Sequence, residues 1–147
     1  MAEQDILPGN RFRLYRKNSG GTFDFVCLAT ALTFTRTAET ADATTVDCDN
    51  PTAVPNTRFV KTRRGWTLNF SGKSDPKKLE LIETDYEAED SHEYQILVDR
   101  TAARGGKTYT GKLHITSLEL GRPENGMVTF SCQCTGDGAY TTAAAAA

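Results

Sequence analysis

The chain has 147 residues and a formal net charge of −2, from 17 basic against 19 acidic side chains, which bounds it to one modest domain. The balanced charge and a sequence pI of about 5.7 exclude the clustered basic footprint that grips nucleic-acid phosphates. Leu, Ile, Val and Phe number 11, 4, 6 and 7, about 19% of the chain, so the core is thin and of the kind that gains stability from partner subunits.

Threonine occurs 21 times and the apolar residues mostly alternate, a combination that favours strands over helices. Residues 11–17 place Phe12 and Leu14 at period two. Asn18, Ser19, Gly20 and Gly21 then supply a tight reversal, and 23–29 return as the second arm of a hairpin. Alternation resumes at Leu32, Phe34 and Arg36 to about residue 37, and again at Trp66, Leu68 and Phe70 to Gly72. The intervening 28 residues, 38–65, hold two prolines and are too long for an ordinary connection, since most loops in compact domains run about 4 to 6 residues. Their composition is Ala, Thr and Asp first, then Val54, Phe59 and Val60, then Lys61, Arg63 and Arg64. That order suits an arm that becomes ordered against a neighbouring molecule.

The spacing predicts a single helix over 75–86, capped by Asp75 or Ser74 and carrying Pro76 at its first position, where the missing N–H costs nothing. Leu79, Ile82 and Tyr86 form a stripe that docks the helix on a sheet. Three more strands follow at 94–100, 108–120 and 127–134, with turns at 104–107 and 124–126; Asn125-Gly126 is a hairpin signal. The fold class is therefore mainly β (α+β). It is an antiparallel β-sandwich or barrel of about seven strands with one flanking helix and a long arm at 38–65. The expected organisation is one domain over 1–140, then a low-information tail over 141–147. Phe34, Trp66, Leu68, Phe70, Leu79, Ile82, Leu113, Ile115 and Phe130 are the expected core.

Catalytic chemistry finds little support. Thr101, Gly106, Lys107 and Thr108 come close to a phosphate-binding loop, but such a loop has to open a helix, and Tyr109, Gly111, Leu113 and Ile115 continue at strand period. Asp85, Glu87, Glu89 and Asp90 have the odd spacing of a calcium loop but lack its central glycine, so a solvated connector is expected. His92, His114, Cys132 and Cys134 fit no zinc spacing. The expectation is no enzyme, no metal and no cofactor. The opening residues lack a leader pattern and no apolar run approaches the ~20 residues of a membrane span, so a chain that starts in the cytoplasm with free, buried thiols at its four cysteines is expected. Lys61, Arg63 and Arg64 form the one basic cluster; it either meets a carboxylate surface such as the 83–90 run of a second copy or is a solvated loop end.

Taken together, the strand pair over 22–37, the long 38–64 segment, the strand Gly65-Trp66-Thr67-Leu68-Asn69-Phe70-Ser71-Gly72 running into the Asp75-Pro76 helix, and the closing strands resemble the tail tube protein (major tail protein) of long-tailed bacteriophages. The resemblance covers about residues 10–140. Its most telling block is 109–118 with Val128-Thr129-Phe130-Ser131 and Gly136-Asp137-Gly138. It implies a structural virion protein that self-assembles into stacked, hexameric rings forming a hollow tube, with Val54, Phe59, Val60, Lys61, Arg63 and Arg64 at the interface between rings. Genomic DNA would pass through an acidic or neutral lumen without specific binding. The implied partners are further copies of the chain, a tape measure protein, a tail terminator and a distal tail protein, with no membrane. The implied location is the virion tail after assembly in the host cytoplasm, of a phage or of a phage-derived particle such as a gene transfer agent. A contractile injection or type VI-like secretion tube is a rival of the same architecture. A small β-sandwich carbohydrate- or protein-binding module, with Trp66 or Tyr109 as a stacking face, is the rival of another class.

Overall fold

The structure is a computed structural model that describes residue 4 and residues 6–145. Among the described residues, Phe12–Lys17 (β1), Phe23–Phe25 (β2), Ala29–Asp42 (β3), Phe59–Lys73 (β4), His92–Val98 (β5), Lys107–Gly121 (β6) and Thr129–Ala144 (β7) build one antiparallel sheet. Its order is β2-β1-β5-β6-β7-β4-β3. The helix, Pro76–Glu87 (α1), begins where Asp75 accepts a hydrogen bond from the Lys77 N–H and Pro76 occupies the first turn.

Alternation decides where the core lies. Phe70 stands opposite Cys132 and Leu68 opposite Cys134, which in turn faces Ile115 across the next pair. The buried residues therefore share one face of the sheet, as a period of two requires. A sheet with one apolar face has to turn that face inward. Here it curls: Phe12 and Leu14 of β1 and Ala29 and Leu32 of β3, from near its two ends, line one cleft of about 690 Å³. Leu79 and Ile82 of α1 join Leu14, Trp66, Leu68, Phe70, Tyr94, Ile96, Leu113, Ile115, Phe130, Cys132 and Cys134 in the core. Phe34 does not: on the edge strand β3 it is half-buried and packs against the cluster from outside.

Several expectations change with the tertiary structure. The 38–65 segment is not a loop throughout. Residues 38–42 pair with 59–64, so the arm is a two-stranded ribbon whose irregular tip is 43–58. The hydrogen bonds of a hairpin continue wherever two strands stay side by side, with or without a core beneath them. β2 ends at Phe25, short of residue 29, because the chain turns over 26–29, where the Ala29 N–H donates to the Val26 carbonyl, and then crosses to the far side of the sheet. Tyr86 is exposed while Asp85, expected in a solvated connector, is buried. The strands beneath the last turn of α1 offer Arg16 and the Tyr94 hydroxyl, which satisfy a carboxylate and not a phenyl ring. Cys132 and Cys134 are buried free thiols, but Cys27 and Cys48 are exposed because both sit outside the strands. Residues 141–144, set apart as a tail, continue β7: Thr141 pairs with Thr110 and Ala144 with Lys107. Residues 146 and 147 lie outside the described residues. Around the would-be phosphate loop the chain makes a 3-10 turn, Ala102–Arg104, and reverses at Gly105 with φ of 87° before entering β6 as a strand.

Candidate functional site

Four consecutive strands of the sheet, β6-β7-β4-β3, are long, at 15, 16, 15 and 14 residues; β1, β2 and β5 are short. Both sides of this long-stranded region end in unpaired backbone. Along β3 the only strand partner among the described residues is β4. On β6, β5 covers only Lys107 to Leu113, so 114–121 pair with β7 alone. An uncovered row of N–H and C=O groups is a template for another chain, and these two lie on opposite sides of one long-stranded region.

The face of these strands away from the core is polar; its middle rows hold few charges, and Lys73, Lys112 and Asp137 stand toward its ends, Asp137 at 3.5 Å from His114. Its side chains align in rows: Thr35, Thr67, Thr135 and His114 in one, Thr33, Asn69, Gln133 and Ser117 in the next, Ala31, Ser71, Ser131 and Glu119 in the third. The two ionisable members both lie on β6.

The arm rises from this region. Phe59, Val60, Lys61, Arg63 and Arg64 all fall on its β4 half and are exposed, whereas Val54 sits apart in the tip and is 90% exposed. The arm holds its own shape. Arg63 pairs with Glu39 at 3.0 Å, the Ala43 N–H donates to the Arg58 carbonyl, and the Arg58 N–H donates to the Thr44 hydroxyl. Hydrogen bonds from Thr44 hold the Asp42 carboxyl below its ordinary range. The basic cluster and the helix carboxylates of one copy are not brought together.

An aromatic cluster anchors the base of the arm. Trp66 is buried, donates its Nε1–H to the Gly138 carbonyl at 3.0 Å and meets Phe34 and Tyr140 edge-on at 5.8 and 6.2 Å. It lies flat over β7 only because Gly136 is there: a Cβ at that position would come within 2.2 Å of the indole. Arg36 stacks on Phe34 and Tyr109, and its guanidinium is held above the ordinary range by Tyr140 first and Tyr109 after it. Trp66 is buried, and Arg36 and Lys107 lie over the half-buried Tyr109 ring.

Beneath the helix, Asp85 accepts two hydrogen bonds from Arg16, at 2.6 and 2.7 Å, and one from the Tyr94 hydroxyl at 2.7 Å. His92 Nδ1 stands 3.3 Å away. Burial, then the Asp85 charge, pushes the Tyr94 hydroxyl well above the ordinary tyrosine range, and the Asp85 hydrogen bond raises Arg16. A carboxylate met by three donors is a fastening between α1, β1 and β5. Among the described residues no three His, Cys, Asp or Glu side chains cluster as a metal would need, and no helix is long and apolar enough to cross a membrane.

Sequence reasoning missed the free strand edges and the upper half of β7. Gly136, Gly138 and Tyr140, followed by the β-branched Thr141 and Thr142, were the available signal for that half.

A subunit with one polar face, open strand edges and a projecting ribbon is shaped for joining its own kind. Residues 8–142 match the sequence profile of the phage tail tube protein. The chain belongs to that family. It is a structural tail tube subunit, which joins copies of itself in the virion tail. Among solved structures it is similar to the tail of an empty gene transfer agent particle refined with C6 symmetry, at 17% identity and a TM-score of 0.77, covering 95% of this chain and 100% of that one. The SPP1 tail tube aligns at 11% identity and a TM-score of 0.67, covering 97% and 81%. The sheath–tube complex of an extracellular contractile injection system aligns at 13% and 0.65, covering 95% and 92%. At these identities the likeness is one of fold. No curated protein sequence matches the chain.

Proposed function

We propose that six copies of the chain close into a ring, that rings stack into a hollow tail tube, and that DNA leaves the particle through it. The observation that carries this reading is the pair of open edges on opposite sides of β6-β7-β4-β3. If β3 of one copy pairs with 114–121 of the next, each copy uses two different surfaces, and such head-to-tail contacts generate rings when the rotation closes. Closure also removes the exposed edges that would otherwise aggregate.

Six copies give a bore of suitable size. Four long strands from each of six copies make 24; at about 4.8 Å between strands and a tilt of about 40°, the backbone diameter is roughly 48 Å. Side chains narrow that bore and still leave room for duplex DNA. The rows of Thr, Asn, Gln and Ser form its wall. A conduit has to avoid gripping its cargo, and a wall of hydroxyls and amides without clustered cations makes few of the phosphate contacts that create affinity.

In this reading the chain is a single domain and no enzyme. The arm, with Val54, Phe59, Val60, Lys61, Arg63 and Arg64, reaches an adjacent ring. Assembly begins in the host cytoplasm, and the tape measure, tail terminator and distal tail proteins are its partners in the virion. A phage-type tail is favoured over a secretion tube by the family match over 8–142. The test is electron microscopy of the purified protein at rising concentration, with sedimentation of the same samples. Hollow rods, or closed rings that sediment as six chains, are expected. A compact monomer at every concentration refutes the reading.

A further inference from the structure

We propose that adjacent rings are locked by opposite ends of the same strands: the tip of the β6–β7 hairpin of one copy seats in the fork where β4 and β7 of a copy in the next ring part. The proposal rests on the stacked-ring reading above.

β4 and β7 pair only between Thr67–Thr135 and Lys73–Thr129. Beyond Thr67, β4 follows β3 into the arm while β7 follows β6. The strands separate, and each of the two facing edges, 59–66 and 136–144, is left with a strand partner on one side only. Between them lies a cleft of about 500 Å³ lined by Arg64, Gly65 and Trp66 of β4 and Gly136, Ala139 and Tyr140 of β7. Its floor is aromatic, with Trp66 lying over Gly136, and open space remains over Gly138.

The complementary shape is at the far end of β7. The 122–128 turn and its flanks present Leu120, Met127 and Val128 at 56%, 70% and 42% exposure. Its own subunit leaves this apolar tip about half open or more. Methionine is unbranched and adapts to irregular apolar space. Of the charged groups, Arg64 lines the fork, and Glu124 stands beside Arg122 in the tip. Because tip and fork stand at opposite ends of the same strands, their contact cannot close a pair of subunits on itself. It repeats from ring to ring, as a heterologous contact does.

The lock also sets the ring spacing. Met127 and Ala139 are separated by about 12 residues of strand, roughly 40 Å at about 3.3 Å per residue, or roughly 30 Å along an axis from which the strands tilt by about 40°. A rod should therefore repeat every 30 to 40 Å, in round figures.

Cross-linking tests the contact. In a Cys27→Ser, Cys48→Ser background, Met127→Cys with Ala139→Cys should give, after oxidation of rods, a disulfide ladder longer than six chains on a denaturing gel, and neither cysteine alone should give one. Met127→Asp should keep its thermal midpoint and its rings while raising the concentration needed for rods at least tenfold; Met127→Leu should restore it. No ladder, rods of ordinary length from Met127→Asp, or an axial repeat far outside that range overturns the lock and leaves the ring reading standing. A wild-type protein that forms neither rings nor rods overturns both.

Discussion

Asp85→Ala should be among the most damaging substitutions in the chain. The carboxylate is 4% exposed and takes both Arg16 hydrogen bonds and that of Tyr94. Removing it leaves Arg16, a side chain only 14% exposed, without its counter-charge, together with an unpaired buried hydroxyl on Tyr94. Breaking one side of a buried pair costs about 3–5 kcal/mol. For a domain of this size that is a fall in melting temperature of roughly 6–20 °C. Asp85→Asn keeps the volume and part of the hydrogen bonding and should cost about 1.5–3 kcal/mol. If the penalty is the stranded charge, Asp85→Leu combined with Arg16→Leu should cost less than the sum of the two single changes. The assay is urea unfolding followed by circular dichroism, below the concentration at which the protein assembles, so that mass action does not mask the loss. An Asp85→Ala variant within about 1 kcal/mol of wild type would refute the reasoning, for it would mean that water reaches Arg16 without cost.

Trp66→Ala should cost about 3–5 kcal/mol, since it empties the space between β4 and β7 and loses the Gly138 hydrogen bond; an unchanged melting temperature would mean that the indole is not held as described. Deleting 44–62 removes most of a ribbon whose residues are largely exposed and none buried, so the strand signal in circular dichroism should persist while rods fail to form. Loss of that signal would show the arm to be part of the folding unit. Tyr94 titrates higher in the folded chain than in the unfolded one. Its contribution is therefore complete below the unfolded tyrosine pKa of about 10 and is lost as pH climbs from there through the raised folded value. Tyr94→Phe should flatten the alkaline limb of a stability–pH curve, and an identical limb in the variant would contradict this.

What was legible in the sequence was what local chemistry controls. Alternation marked Trp66, Leu68, Phe70, Leu113, Ile115 and Phe130 for one face, and Asp75-Pro76 set the helix start, because side-chain period and capping depend on residues a few positions apart. The length of the 38–65 segment marked an arm. Tertiary structure alone decided which strands are neighbours, and so left β3 and the lower half of β6 with open edges, since a backbone edge looks the same in sequence whether paired or bare. Asp85 read as one of several solvated acids until Arg16, some seventy residues earlier, came within reach of it. The fork between β4 and β7 was hidden for the same reason: strand separation belongs to the pair, and no single stretch of sequence records it.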